Sequence, residues 1–201
     1  MRILPSGDHA LLVEFDDLDQ VLGYYAALSA APPADVVDIV PAARTVMVST
    51  AGGLDELARV LRAVEPVDRG QVAEDLLEIP VVYDGEDLAD VAELLGCSVP
   101  ELVERHTGDE WTVAFCGFAP GFGYLTSPGE WQIPRRESPR TKVPAGAVAL
   151  AGEFSGVYPR ESPGGWQLIG RTDVRIFDQD REPAALFHPG RRVRFVDAGR
   201  G

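Results

Sequence analysis

Three side chains in the middle of the sequence have types suited to proton transfer or nucleophilic attack, His106, Glu110 and Cys116, and further on the cations of "PRRESPRTKVPAG" (134–146) suit an anion. A histidine ten positions before a cysteine invites a Cys–His nucleophile. However, nothing near Cys116 in the sequence would lower a thiol pKa, so a core thiol is the simpler reading. His106 ends the apolar stripe of a helix just before a glycine- and ring-rich stretch. It is expected to face a cleft as an acid or base, with Glu110 as a candidate carboxylate; the alternative is a structural histidine that satisfies a buried backbone group.

Arg135, Arg136, Arg140 and Lys142 lie within eight positions of an otherwise acidic chain. Arginine forks suit carboxylate or phosphate, so these four are expected to bind an anionic small molecule. The competing expectation is a solvated loop paired with Glu137 and nearby acids. No Walker A sequence is present, and the glycines at 117, 121 and 123 do not spell a dinucleotide fingerprint.

"FCGFAPGFGYL" (115–125) holds three glycines, a proline and four rings with no charge. A core strand would not place glycines where side chains should pack, and a solvated loop would not expose four rings together. The stretch reads as a wall in which Phe118, Pro120, Gly121, Phe122 and Tyr124 line a substrate surface while glycine backbone approaches something closely. A tight, well-packed barrel corner would have the same composition. "GEFSGVYPRESPGGW" (152–166) adds Tyr158 and Trp166, which would complete a cleft with that wall.

These residues need elements to hold them. The first part of the chain alternates: strand 10–15, helix 18–28, strands 35–40 and 44–50, helix 53–64 and strand 76–83. The order β-α-β-β-α-β is that of the split βαβ, ferredoxin-like domain. Two short helices follow, at 87–95 and 98–107, the second with Ser98 and Glu101 spaced as a capping box. From Glu110 onward short β-rich segments alternate with Pro/Gly turns, the mark of a small β-barrel. The fold class is therefore α+β, with domains over 1–84 and 85–201.

The totals exclude several functions. With 32 acidic against 18 basic residues the net charge is −14, unsuited to nucleic acid as the main partner. No apolar run reaches membrane-spanning length and the start is no signal peptide, which points to the cytoplasm without membrane contact. Two cysteines without a CxxC pair and three histidines give no zinc framework, so no metal site is expected.

"HTGDEWTVAFCGFAPGFGYL", "IPRRESPRTKVPAGAVALAG" and "GVYPRESPGGWQLIGRT", with "GDHALLVEF" and "VPAARTVMV" near the start, resemble the family of the 5-oxoprolinase B subunit. That family includes allophanate hydrolase subunit 1-like proteins and KipI-type histidine kinase inhibitors. The resemblance implies a C-terminal cyclophilin-like β-barrel and a homologous partner, the C subunit (allophanate hydrolase subunit 2-like), with a third 5-oxoprolinase subunit. It implies hydrolysis of 5-oxoproline to L-glutamate with ATP as co-substrate, accompanied by Mg2+, and no prosthetic group. A KipI-like module that inhibits a sensor kinase, and an allophanate-hydrolase-like enzyme with another amide, are the alternatives it also covers; a prolyl isomerase rests on barrel analogy alone. The chain has Ala147 where the family often has Ser, and Phe154-Ser155 where it often has Gln-Thr.

Overall fold

A computed structural model of the chain describes residues 1–67 and 76–199; Arg200 and Gly201, at the end of the expected second domain, lie outside the described residues. The chain divides into two compact units, Met1–Ala73 and Glu74–Gly201.

In the first unit, strands β1 (Arg2–Pro5), β2 (Ala10–Glu14), β3 (Val36–Pro41) and β4 (Thr45–Thr50) form an antiparallel sheet in the order β1-β2-β4-β3. Helices α1 (Leu18–Ala30) and α2 (Leu54–Ala63) supply Val21, Tyr24, Leu28, Leu57 and Leu61, which pack with Leu11, Val13, Val46 and Val48 of the strands. Asp17 caps α1 by accepting the Gln20 N–H at 2.9 Å. Tyr24 is buried with its hydroxyl donating to the Leu61 carbonyl at 2.7 Å, which ties one helix to the other.

The edge of this sheet corrects the expected strand order. The position beside β2 belongs to β1, four residues that the sequence pattern passed over. The strand expected there is β5 (Leu77–Val81), which pairs in parallel with β13 (Arg192–Asp197), Ile79 opposite Phe195. Ile79 and Val81 are fully buried in the second unit's core, so the strand belongs to that unit and the division falls before it rather than at 84/85.

The second unit carries helices α3 (Leu88–Leu94) and α4 (Val99–Gly108), then strands β6 (Trp111–Cys116), β7 (Gly123–Thr126), β8 (Arg140–Val143), β9 (Ala147–Ala151), β10 (Phe154–Val157), β11 (Ser162–Gly164) and β12 (Gln167–Arg171) before β13. Seven strands form one sheet in the order β12-β9-β10-β7-β6-β13-β5. Its two ends meet where Val82 and Arg171 exchange backbone hydrogen bonds at 2.8 and 2.9 Å, so the sheet is a nearly closed barrel. β8 and β11 form a separate two-stranded ribbon.

Strand β9 is buried on both faces, whereas β5 and β13 alternate buried with exposed residues. Along β9, Val148 and Leu150 join the interior core with Trp111, Val113, Leu125 and Phe195, while Ala147, Ala149 and Ala151 face a second cluster. Ser98 and Glu101 form the expected capping box at the start of α4. Among the described residues no helix is long and apolar enough to cross a membrane.

Candidate functional site

The link between β6 and β7 is a tight turn closed by its own backbone: Gly117 N–H to Phe122 O at 3.1 Å, Ala119 N–H to Gly117 O at 2.8 Å and Phe122 N–H to Ala119 O at 2.9 Å. Folding it this way puts Phe118 at φ 68°, a left-handed conformation that costs a non-glycine residue about 1–2 kcal/mol. The strained residue is also the exposed one, with 57% of Phe118 open to solvent. Gly121 has φ 81°, and a Cβ on it would lie 2.6 Å from Cβ of Phe177; on Gly123 it would lie 2.9 Å from Cδ2 of Phe187. The close approach these glycines permit is to the chain's own rings. Gly121 itself is half-buried at the edge of the wall.

Above the alanine face of β9 the rings form a herringbone. Phe122 stands edge-on to Phe118, Tyr124, Tyr158 and Trp166 with centroids 5.1–5.3 Å apart. Tyr124 stacks on Phe115 at 4.4 Å and meets Phe154 edge-on. Gly156 leaves room for them, since a Cβ there would lie 3.1 Å from both Phe122 and Trp166. Phe122 is only 1% exposed, so it buttresses the wall rather than lining it. The exposed Phe118 and Pro120 and the half-buried Tyr124 are left to form its surface.

The basic stretch is folded against the same cluster through Val143, which is buried among these rings. Its cations are largely paired. Arg136 donates to Asp87 Oδ1 at 2.6 Å and Arg140 to the same oxygen at 2.8 Å and to Glu86 at 3.0 Å. Lys142 lies 3.1 Å from Glu161. Arg135 is exposed, and its charge opposes the burial that pushes up the phenols of Tyr124 and Tyr158. The wall and the basic stretch, separate in sequence, thus share one patch of the barrel.

Asp87 is the residue that sequence reasoning missed. It precedes α3, and a carboxylate there reads as a helix cap, yet its side chain makes no cap hydrogen bond. Its Oδ2 accepts the Leu168 N–H at 2.7 Å instead. Gly85 makes this possible: a Cβ there would fall 2.3 Å from the Leu168 carbonyl, so only glycine lets β12 come this close. Burial alone would raise the Asp87 pKa, but hydrogen bonds from Arg140 and Leu168 and the charges of Arg140 and Arg136 outweigh it and hold the group below the usual carboxylate range. Gly85 was the available signal; the two arginine partners, 49 and 53 residues away, left none.

His106 is not in this patch. It is fully buried in the barrel core, stacked on Phe195 at 4.4 Å. Nδ1 lies 2.7 Å from the Tyr83 hydroxyl and Nε2 3.0 Å from Ser155 Oγ. Burial lowers its pKa to about 3, so it stays neutral and enclosed, which corrects the cleft-facing acid or base expected from its helix. Glu110 is held by Arg192 through two hydrogen bonds of 2.7 and 2.6 Å, which keep its pKa low. Cys116 is half-buried, and burial pushes its thiol up to about 11. Ser155, at a position expected to border the cleft, points to His106 instead, and Ala147 lies under the rings.

Comparison with known proteins adds kinship to this geometry. The family described as carboxyltransferase domain, subdomain C and D, matches residues 1–187. The chain belongs to this family. The 5-oxoprolinase B subunit of Escherichia coli O157:H7 is 45% identical to it over 152 residues, 74% of this chain and 70% of that protein. The crystal structure of TTHA0988 superposes with a TM-score of 0.78 at 35% identity, over 96% of this chain but 40% of that one. That of PH0987 from Pyrococcus horikoshii gives 0.60 at 34% identity over 98% of both chains. Measured against TTHA0988, then, the chain spans well under half of the larger protein.

Proposed function

We propose that this chain is a subunit of a 5-oxoprolinase-type enzyme that opens the ring amide of 5-oxoproline to give L-glutamate at the expense of ATP. The observation that carries the reading is the 45% identity to the E. coli B subunit, joined to a patch that combines an exposed ring with paired arginines. An apolar wall suits the ring carbons of such a substrate and guanidinium groups suit its carboxylate. The chain's own titratable candidates are engaged elsewhere: His106 is enclosed, Glu110 is held by Arg192, and the Cys116 thiol is raised. An enzyme built on this patch needs its acid or base from a second chain. That agrees with a homologous C subunit as partner and a third subunit in the assembly. Among the described residues no group of three or more His, Cys, Asp or Glu side chains is placed to hold a metal ion, so Mg2+ would arrive with the phosphates of ATP.

The same engaged side chains favour a second reading, a KipI-like module that binds a sensor histidine kinase without chemistry of its own. Co-expression with the homologous C subunit, followed by an assay of ATP-dependent glutamate release from 5-oxoproline, separates the two. A stable complex that releases glutamate only when both chains are present supports the enzyme. Absence of turnover together with loss of kinase autophosphorylation on adding this chain supports the regulator.

A further inference from the structure

A cavity of ≈ 320 Å³ beside the basic stretch is bordered by Asp90, Arg136, Glu137, Ser138 and Gln167. Arg136 is the cation among them, and its charge is already met. It shares Asp87 with Arg140, and Arg140 also holds Glu86, so two guanidinium groups face two carboxylates. Asp90 and Glu137, by contrast, make no hydrogen bond or ion pair among the described residues. The rim of the cavity is therefore negative.

Gln167 adds a fixed acceptor to it. Its side chain belongs to a residue only 8% exposed, and Nε2 donates to the Pro134 carbonyl at 3.1 Å. The flipped amide would set two oxygens against each other, so Nε2 stays on Pro134 and Oε1 is turned away from it. Oε1 accepts nothing among the described residues. Nor is it sealed off, as the unpartnered Nε of Arg136 and Nη1 of Arg140 are; it opens on the cavity that Gln167 borders. A nearly buried amide with one idle oxygen normally has a donor beside it.

We infer that this cavity is a subsite for a small primary ammonium group, with Oε1 of Gln167 as its fixed acceptor and Asp90 and Glu137 as its counter-charges. A primary ammonium carries three N–H donors, no acceptor and one positive charge, which matches an idle oxygen flanked by two carboxylates. An anion would face Asp90 and Glu137. A metal ion fits worse, since among the described residues no three His, Cys, Asp or Glu side chains are placed to hold one. The inference does not rest on the 5-oxoprolinase reading. Two sources carry the group, a simple amine and the amino group of an amino acid such as the L-glutamate of the proposed reaction; in 5-oxoproline the nitrogen is a neutral amide.

The test uses the full chain labelled with 15N and follows the side-chain amide resonances of Gln167, assigned by their loss in Gln167→Met. Ethylammonium should shift them saturably. Tetramethylammonium, which has the charge but no N–H, and potassium should shift them less, and 5-oxoproline should leave them in place. A shift shared by L-glutamate supports the subsite with an amino acid as its source; a shift confined to ethylammonium supports it with a simple amine. Gln167→Met should weaken ethylammonium binding by roughly tenfold or more in calorimetry. Should that variant not fold, Asp90→Asn combined with Glu137→Gln carries the test: both side chains are exposed, so the melting temperature should hold while affinity falls by about fivefold. Glu153→Gln, an exposed acid outside the cavity, should change nothing. Resonances unmoved by ethylammonium, an equal response to tetramethylammonium or potassium, or parent-like affinity in the Asp90/Glu137 double variant overturns the inference.

Discussion

The Nδ1 atom of His106 lies 2.7 Å from the hydroxyl of Tyr83, in a barrel core where the imidazole has no contact with water. With Nε2 on Ser155, both ring nitrogens are satisfied, and the ring links α4 to strand β10 through the core. A neutral imidazole can donate from one nitrogen and accept at the other, whereas imidazolium can only donate and must leave water to form.

The first prediction follows from that protonation state. The folded pKa of His106, about 3, lies below the ordinary 6.5, so between these values the unfolded chain binds the extra proton. Stability contributed by the neutral ring is present above pH 6.5 and is lost as pH falls toward 3, by on the order of a few kcal/mol. Urea denaturation across that window should show this slope, and His106→Asn should flatten it. The variant should also lose about 2–4 kcal/mol at neutral pH, because Tyr83 or Ser155 loses its partner and Phe195 its stack. Full stability in the variant, with turnover of the reconstituted complex abolished, would return His106 to a catalytic role.

A second prediction separates the glycines of the turn. Gly121→Ala places a methyl against Phe177 in a left-handed backbone and should cost about 2–4 kcal/mol in denaturant unfolding. Gly117→Ala meets nothing closer than Tyr124 Cε2 at 4.0 Å and should cost less than about 1 kcal/mol. Equal costs would mean that the turn is not packed as described.

The contrast between these glycines shows where the sequence was readable. The helices were, because Leu57 and Leu61, or Leu102 and His106, recur at helical spacing and are buried together. The barrel was also legible as a class, from short apolar segments separated by Pro and Gly. Strand β5 was read as a strand but given the wrong neighbours, because alternation records which face is buried and not which strand lies alongside. Likewise "FCGFAPGFGYL" announces close approach without saying to what; only the fold brings Phe177 and Phe187 to its glycines. His106 shared the apolar face of its helix with core residues, and that face pointed into the barrel rather than into a cleft. Asp87 was silent because charge partners half a domain apart leave no local pattern.

A third prediction concerns Cys116. Burial lifts its thiol to about 11 and its sulfur lies 3.6 Å from the Phe187 carbonyl, so at neutral pH almost none of it is thiolate. Iodoacetamide should label it slowly in the folded chain and quickly in urea, as read by mass spectrometry, and Cys116→Ser should leave turnover of the reconstituted complex intact. Rapid labelling of the folded chain would reopen the nucleophile reading.

The last prediction concerns Phe118. Its ring is held out at 57% exposure by a backbone that would be less strained with glycine, so the isolated chain gains little from keeping it. Phe118→Gly should therefore change the stability of the isolated chain by less than about 1 kcal/mol, relief of the left-handed backbone offsetting the extra freedom of the unfolded state. If the ring is covered by the homologous C subunit, the variant should weaken that complex by about 1.5–3 kcal/mol, the burial free energy of one aromatic side chain. Calorimetric titration of one purified chain into the other measures this directly, with Val37→Ala, another exposed apolar position in the first unit, as the control. Undiminished affinity in Phe118→Gly would mean that the ring lies outside the contact with that partner, and the strain at residue 118 would then need a ligand rather than a protein to explain it.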